Sequence, residues 1–225
     1  MSSDHVDVIA ELANAHDGDV ETAVELVDEF APLADVIKIQ VYSPSELAVP
    51  FHPDFDTFES LTLSEREWER FVDVTRGYDV ELYADVFDPQ SVGLMEDLDI
   101  DGYKIHATDT VNPDLLDSVG ETGNPVVLSA GGSTVVELKE AIDTLEAVGT
   151  TDIELMYGFQ NYPTVLSDSH LRRLSALADR FEYPVGYASH LPGSSELATS
   201  LPAWAVAAGA DAVEVHASLD RSTEH

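Results

Sequence analysis

Short apolar runs alternate with amphipathic stretches along the whole chain of 225 residues. The apolar runs have the length of β-strands, and most are followed by a segment whose hydrophobic positions recur with helical spacing. We predict eight strands, over 6–12, 36–42, 80–86, 103–107, 125–130, 153–158, 184–190 and 212–217. We predict helices over 19–31, 65–77, 89–97, 113–121, 134–148, 168–181 and 195–209.

Helix start signals support this pattern. Two capping boxes and two N-cap residues followed by proline precede predicted helices: Ser64 with Glu67, Thr134 with Glu137, Asp88-Pro89 and Asn112-Pro113. Eight evenly spaced strand–helix units without a linker predict an α/β fold, a TIM (β/α)₈ barrel, as a single domain over 1–225. A doubly wound open sheet is the alternative, but no G-x-G-x-x-G follows the first strand. Little chain follows the last strand, so we expect the barrel to lack its eighth helix and to leave the outward residues of that strand, Val213 and Val215, bare.

The charge is strongly and evenly acidic. Forty-four Asp and Glu residues against ten Lys and Arg give a net charge of −34. Such a surface repels nucleic acid and anionic membranes, and it favours a salt-adapted protein from a halophile. The sequence has no cysteine, which excludes disulfides and thiolate metal sites. Without a membrane-length apolar run or a signal-peptide pattern, we expect a cytoplasmic protein.

Against this background the three lysines are informative. Lys139 lies in a predicted helix, where a surface lysine is ordinary. Lys38 and Lys104 lie inside the apolar runs V-I-K-I-Q-V and G-Y-K-I-H-A. Buried lysine is rare, so anion binding is favoured over a snorkelling or ion-paired side chain.

Polar residues also collect late in the predicted strands, at positions that face the inside of a barrel. In this fold the C-terminal mouth carries the active site. Alternation along each strand predicts that six strands converge there with a polar set: Glu11, Lys38, Gln40, Lys104, His106, Ser129, His190, Glu214 and His216. A purely structural barrel would carry branched apolar residues at these positions.

The residue types indicate two kinds of ligand. Two lysines and a serine hydroxyl suit a phosphate or a carboxylate. His190 and His216, on adjacent strands with carboxylates nearby, suit Mn²⁺, Fe²⁺ or Zn²⁺ acting as a Lewis acid on a carbonyl. An anionic substrate and a polarised carbonyl fit either an aldol-like condensation or an isomerisation, and the spacing does not decide between them.

Eight motifs then follow in the order of a known family. They are I-A-E-L-A-N-A-H-D-G-D (9–19), K-I-Q (38–40), F-D-P-Q-S-V (87–92), Y-K-I (103–105), L-S-A-G-G (128–132), N-Y-P-T (161–164), G-Y-A-S-H-L-P-G (186–193) and E-V-H-A-S-L-D (214–220). The chain resembles the sialic acid (N-acetylneuraminate) synthases over essentially its whole length. The resemblance implies a metal-dependent TIM barrel that condenses phosphoenolpyruvate with an open-chain N-acetylated amino sugar, giving a nonulosonic acid and phosphate.

The resemblance also implies roles for individual residues. His190 and His216 match the metal ligands, with Mn²⁺ the expected ion and Mg²⁺ or Co²⁺ as alternatives. The substrate-binding positions are Lys38, Gln40, Lys104, Asp109, Ser129, Asn161 and Tyr162, and the catalytic positions are Glu11, Glu214 and Lys104. In the implied reaction C3 of phosphoenolpyruvate attacks the sugar aldehyde, water adds at C2, and phosphate leaves by C–O cleavage.

Three hydroxyls of the family pattern are absent. Asp85, Ala107 and Ala188 stand where the family has threonine or serine, which we expect to weaken anion binding. We expect no counterpart of the family's C-terminal antifreeze-like domain, and therefore a homodimer or a separately encoded C-terminal domain as the partner. A catalytically degenerate barrel that binds metal or anions as a regulatory or assembly subunit is the alternative function. A metal-dependent sugar isomerase is a third interpretation.

Overall fold

The computed structural model describes residues 5–220. Eight parallel strands, β1 to β8, pair in chain order and close into a barrel in which β8 pairs with β1. The strands are Asp7–Ala13, Val36–Val41, Glu81–Val86, Gly102–Ile105, Val126–Ser129, Ile153–Tyr157, Val185–Ser189 and Ala212–His216. The predicted TIM barrel and all eight predicted strands are confirmed.

Helices cover the outside of the strands. Within the described residues they are α1 (Val20–Phe30), α2 (Pro44–Leu47), α3 (Phe55–Leu61), α4 (Glu65–Thr75), α5 (Pro89–Asp97), α6 (Pro113–Gly120), α7 (Val135–Val148), α8 (Arg172–Phe181) and α9 (Leu201–Ala207). Two 3₁₀ turns lie at Ala31–Leu33 and Leu166–Asp168. The predicted helices over 168–181 and 195–209 were too long, because turns occupy their first residues.

The capping hydrogen bonds expected at the predicted helix starts are present in the structure. Both capping boxes form, at Ser64 with Glu67 and at Thr134 with Glu137. The Asp88 carboxylate accepts from the backbone N–H of Ser91, which fixes the start of α5 directly after β3. Such caps satisfy N–H groups that have no partner within the helix.

The inside of the barrel contains an apolar layer and a polar layer. Apolar side chains form one cluster inside the barrel, together with the half-buried Tyr83: Ile9, Val36, Val127, Met156, Ala188 and Ala212. Two residues further along their strands, the inward positions become Glu11, Lys38 and Glu214, and all three are buried. The apolar layer therefore forms the floor of a polar site.

An apolar groove of about 320 Å³ crosses the outer face of β8 and β1. Val8, Ala10, Val215 and Ala217 line its floor, and side chains from the end of α1 and the segment before α9 form its walls. No helix follows β8 within residues 5–220, so this part of the barrel wall is uncovered. The expectation that Val213 is also bare was wrong, since it is only 6% exposed.

Within the described residues, no helix combines the length and apolar character needed to cross a membrane.

Candidate active site

Two lysines occupy the centre of the polar layer. Lys38 extends from β2 and Lys104 from β4, and they are 1% and 5% exposed. Asp85, on β3 between them, is in register with Lys104. A lysine is almost never buried this completely unless acids surround it. The structure therefore confirms that both lysines lie inside the barrel.

Three carboxylates surround the two ammonium groups. Glu214 lies 2.7 Å from the Nζ atom of Lys104 and 3.1 Å from that of Lys38. Glu11 pairs closely with Lys38 and also accepts a 2.8 Å hydrogen bond from the backbone N–H of Ala13. Asp85 lies further away, 3.7 Å from Lys38 and 4.0 Å from Lys104. Paired in this way, the buried charges are stabilised by their mutual attraction.

The two lysines differ in their electrostatic state. Burial lowers the pKa of Lys38 to about 8, and the carboxylate of Glu214 opposes this shift only in part. For Lys104, burial is outweighed by the carboxylates of Glu214 and Asp85, which raise its pKa. Burial alone would raise the pKa of Glu214, but the two ammonium groups hold it well below its usual range. All three groups are therefore charged at neutral pH.

Two histidines meet at the mouth above this cluster. The ring centroids of His190, after β7, and His216, at the end of β8, are 5.7 Å apart. The Nδ1–H of His190 donates to the carbonyl oxygen of Phe159 at 2.8 Å, so Nε2 is the nitrogen left to bind a ligand. A Cβ atom at position 158 would lie 3.2 Å from Cε1 of His190. Glycine at this position therefore avoids a close contact with the His190 ring.

Both imidazoles are neutral at neutral pH. Burial lowers the pKa of His190. His216 is open towards the mouth, yet the protein around it still removes water from the ring and lowers its pKa to about 3, against the opposing effect of Glu214. Neutral imidazole is the form that binds a metal ion.

The sequence profile of the NeuB family matches residues 28–225. The chain belongs to the NeuB family.

The chain is similar in sequence to several known proteins. The chain is 33% identical over 96% of its length to an uncharacterised protein of Methanocaldococcus jannaschii, of which it covers 63%. It is 28% identical to the pseudaminic acid synthase of Helicobacter pylori, covering 96% of this chain and 67% of the relative. The chain thus spans about two thirds of the length of these relatives.

A solved structure shares the fold closely. The N-acetylneuraminic acid synthetase of Leptospira borgpetersenii, crystallised in complex with citrate, superposes with a TM-score of 0.90 at 26% identity. The match covers 96% of this chain and 74% of the other. The barrel of this NeuB-family chain therefore has the same fold as the corresponding part of that synthetase.

Three more of the residues singled out by sequence lie around the same mouth. The ring centroid of Tyr162 is 5.3 Å from that of His216 and 6.1 Å from that of His190. The side-chain oxygen of Gln40 accepts a 3.0 Å hydrogen bond from Asn14. Ser129 is buried at the end of β5. These three side chains extend the site from the histidines round to β2 and β5.

Three other predicted residues have local partners instead. The side-chain amide of Asn161 donates to the carbonyl oxygen of Pro163, and Asp109 accepts from Asn112. His106 is half-buried and hydrogen-bonds to Thr108. Loops hold these side chains, so their orientation depends on contacts that strand alternation does not describe.

The alanines at two of the hydroxyl positions differ in burial. Ala188 belongs to the apolar layer inside the barrel and is 4% exposed. Ala107 is half-buried in the loop after β4. The third position, Asp85, puts a carboxylate into the lysine cluster, although it was not predicted as a site residue. The sequence signal for its inward position is its alternation with the apolar residues of β3, Leu82, Ala84 and Val86.

A second polar cluster lies at the other end of the barrel. His5, Asp7 and Asp35 carry ligand atoms within 4.8 Å of one another. Asp7 opens β1 and Asp35 immediately precedes β2, so the cluster lies at the N-terminal face. It is the one such three-residue group within residues 5–220. Active sites of this fold lie at the opposite face.

Proposed function

We propose that the chain is a NeuB-type synthase that joins phosphoenolpyruvate to an open-chain N-acetylated amino sugar, giving a nonulosonic acid and phosphate. One observation carries the proposal: two buried lysines and two neutral histidines converge at the C-terminal mouth of the barrel. The lysines suit an anionic substrate and the histidines a divalent ion. The names of the relatives, pseudaminic and sialic acid synthases, support the same class of reaction.

Lys38 and Lys104 would bind the anionic groups of phosphoenolpyruvate, with Ser129 supplying a hydroxyl donor. The two ammonium groups share the carboxylate of Glu214, so they lie close to each other. A phosphate or carboxylate bound beside Glu214 would contact both ammonium groups. The substrate-binding residues towards the sugar would be Gln40, Asp109, Asn161 and Tyr162.

His190 and His216 fit a divalent metal ion. Their rings are close, both are neutral, and the hydrogen bond to Phe159 directs Nε2 of His190 away from the backbone. Within the described residues no third His or carboxylate completes this pair, which leaves positions open for substrate or water. A bound Mn²⁺, Mg²⁺ or Co²⁺ would supply Lewis-acid polarisation of the sugar aldehyde.

The protein's own groups would then hold the reactants for carbon–carbon bond formation. The C3 carbon of phosphoenolpyruvate attacks the aldehyde carbon, water adds at C2, and the C2–O bond to phosphate breaks. The ammonium groups of Lys38 and Lys104 would stabilise the negative charge on the departing phosphate. Glu214 and Glu11 would hold these ammonium groups in place for this task.

One observation favours a second function. The two lysines face three acids, Glu11, Asp85 and Glu214, so the cluster carries one net negative charge. A barrel that binds a metal ion without turning over a phosphorylated substrate would tolerate this balance. The second candidate is therefore a metal-binding regulatory or assembly subunit.

Phosphate release distinguishes the two functions. The protein is incubated with phosphoenolpyruvate, Mn²⁺ and a panel of N-acetylated aldoses at high salt, and inorganic phosphate is measured. We expect release that requires both a sugar and the metal ion and that falls at least a hundredfold in His216→Ala. His170→Ala, on the exposed loop before α8, is the matched control and should keep full activity.

The same samples test the alternative. Wild-type protein that binds Mn²⁺ but releases no phosphate with any sugar of the panel would favour the subunit. Phosphate release that does not depend on a sugar would contradict both functions.

A further inference from the structure

The carboxylates around the two lysines differ in how many hydrogen bonds they accept. Glu214 accepts hydrogen bonds from Lys104 at 2.7 and 2.9 Å, and Glu11 accepts one from a backbone N–H. Neither side-chain oxygen of Asp85 has a hydrogen-bond partner within the described residues, although the side chain is only 1% exposed. A buried carboxylate without a hydrogen bond is costly.

Asp85 is held by charge alone. Its neighbours across the sheet are Gln40 on β2 and Lys104 on β4. The charged groups that face it are the two ammonium groups, at 3.7 and 4.0 Å, and both of these also pair with Glu214. Removing Glu214 or Glu11 would break close ion pairs, whereas Asp85 contributes its charge from a distance. It is therefore the acid whose loss changes the charge of the site with least change to its structure.

We propose that Asp85 is an internal counter-anion that competes with bound anions for Lys38 and Lys104 and so sets the anion affinity of the site. With Asp85 the cluster has one net negative charge, and without it the cluster is neutral. An anion bound to the two ammonium groups would lie close to the Asp85 carboxylate and be repelled by it. In the proposed reaction, this repulsion would hasten the departure of the phosphate product.

The part of this inference that concerns product release rests on the proposed function, but the effect on anion affinity does not. Inorganic phosphate is therefore the probe, and its binding is measured by titration calorimetry at pH 7 without sugar or metal. Asp85→Asn removes the charge and keeps the shape. One unit charge a few ångströms from a buried anion is expected to change the dissociation constant by at least tenfold.

The matched control removes an acid from the other end of the same barrel. Asp152 is exposed and immediately precedes β6 at the N-terminal face. Asp152→Asn changes the net charge of the protein equally and should leave phosphate affinity within threefold of wild type. A smaller second variant, Asp85→Ser, shows whether the effect follows the charge and not the amide.

We expect both Asp85 variants to bind phosphate at least tenfold more tightly than wild type. Unchanged or weaker binding, or no binding to any variant, would overturn the inference. Loss of folding in both variants would do so too, since Asp85 would then be a structural counter-ion. Tighter binding without synthase activity refutes only the proposed function, and activity with unchanged phosphate affinity refutes only this inference.

Discussion

Lys38 and Lys104 carry the same side chain in one cluster, but their surroundings affect them differently. Burial lowers the pKa of Lys38 to about 8, while neighbouring carboxylates raise that of Lys104. Lys104 makes two short hydrogen bonds to Glu214. Near pH 8 one of the two positive charges in the site is therefore close to being lost, and the other is retained.

We expect anion binding to weaken above pH 8. Lys38 is protonated below its pKa and loses its charge as the pH rises through about 8, so the positive charge available to an anion falls. Inorganic phosphate keeps its charge between pH 8 and 9.5, because its second ionisation lies lower. Calorimetric titration over this range should show the dissociation constant rising up to about tenfold per pH unit. A constant affinity to pH 9.5 would contradict the assignment of the anion to Lys38.

Strand alternation alone predicted much of the residue-level site. It placed Lys38, Lys104 and Glu214 inside the barrel, and all three are there. Sequence could not give the pairing of Lys104 with Glu214, which lie 110 positions apart and meet only when the barrel closes. Asp85 was not predicted as a site residue, although alternation along β3 already indicates its inward position.

At the scale of elements, the caps explain why predicted helix starts agree with the structure. Asp88, Asn112, Ser64 and Thr134 each begin a helix where the sequence indicated one. The short helices α2 and α3 were not predicted, since neither has a side-chain cap and neither exceeds two turns. Propensity alone carries little information over such lengths.

Asp88 joins two elements as well as capping one. Its carboxylate accepts from the backbone N–H groups of Ser91 and Ser43, both at 2.7 Å, and the side chain is only 1% exposed. We expect Asp88→Ala to lower the free energy of unfolding by about 2–4 kcal/mol, because buried N–H groups lose their acceptor. Asp19→Ala, which removes the exposed cap of α1, should cost only about 1 kcal/mol. Urea unfolding measures both, and equal losses would contradict the special role of Asp88.

At the scale of the whole molecule, closure of the barrel was predicted correctly from the repeat of strands and helices. The exposure of the outward residues of β8 was predicted only in part, since Val213 is buried while Val215 lines the groove. The burial of a side chain on the outer wall depends on the orientation of the neighbouring helices, and no local sequence pattern predicts that orientation.

The net charge of −34 gives a first whole-molecule prediction. Self-repulsion among dispersed acids destabilises the compact state, and salt screens it. We expect the unfolding temperature to rise as KCl increases to molar concentrations. A parallel sucrose series of equal osmolality separates screening from solute exclusion. A protein most stable at low salt would contradict adaptation to salt.

The apolar groove over β8 and β1 gives a second whole-molecule prediction. Exposed apolar surface of this kind commonly marks an interface, and we expect a second copy of the chain to cover it. Sedimentation should show a dimer that Val215→Asp dissociates, because a carboxylate would then have to be desolvated at the contact. Val136→Asp, on the exposed face of α7, is the control and should leave the dimer intact. A monomeric wild-type protein would rule the interface out.

The most direct test of the central claim follows one oxygen atom. Phosphoenolpyruvate is labelled with ¹⁸O in the oxygen that bridges C2 and phosphorus, and the protein is supplied with Mn²⁺ and an N-acetylated amino sugar. If the barrel mouth performs the proposed condensation, C–O cleavage leaves the label in the released phosphate, and one nonulosonic acid forms for each phosphate. Label retained in the organic product, or no turnover with any sugar of the panel, would contradict the account.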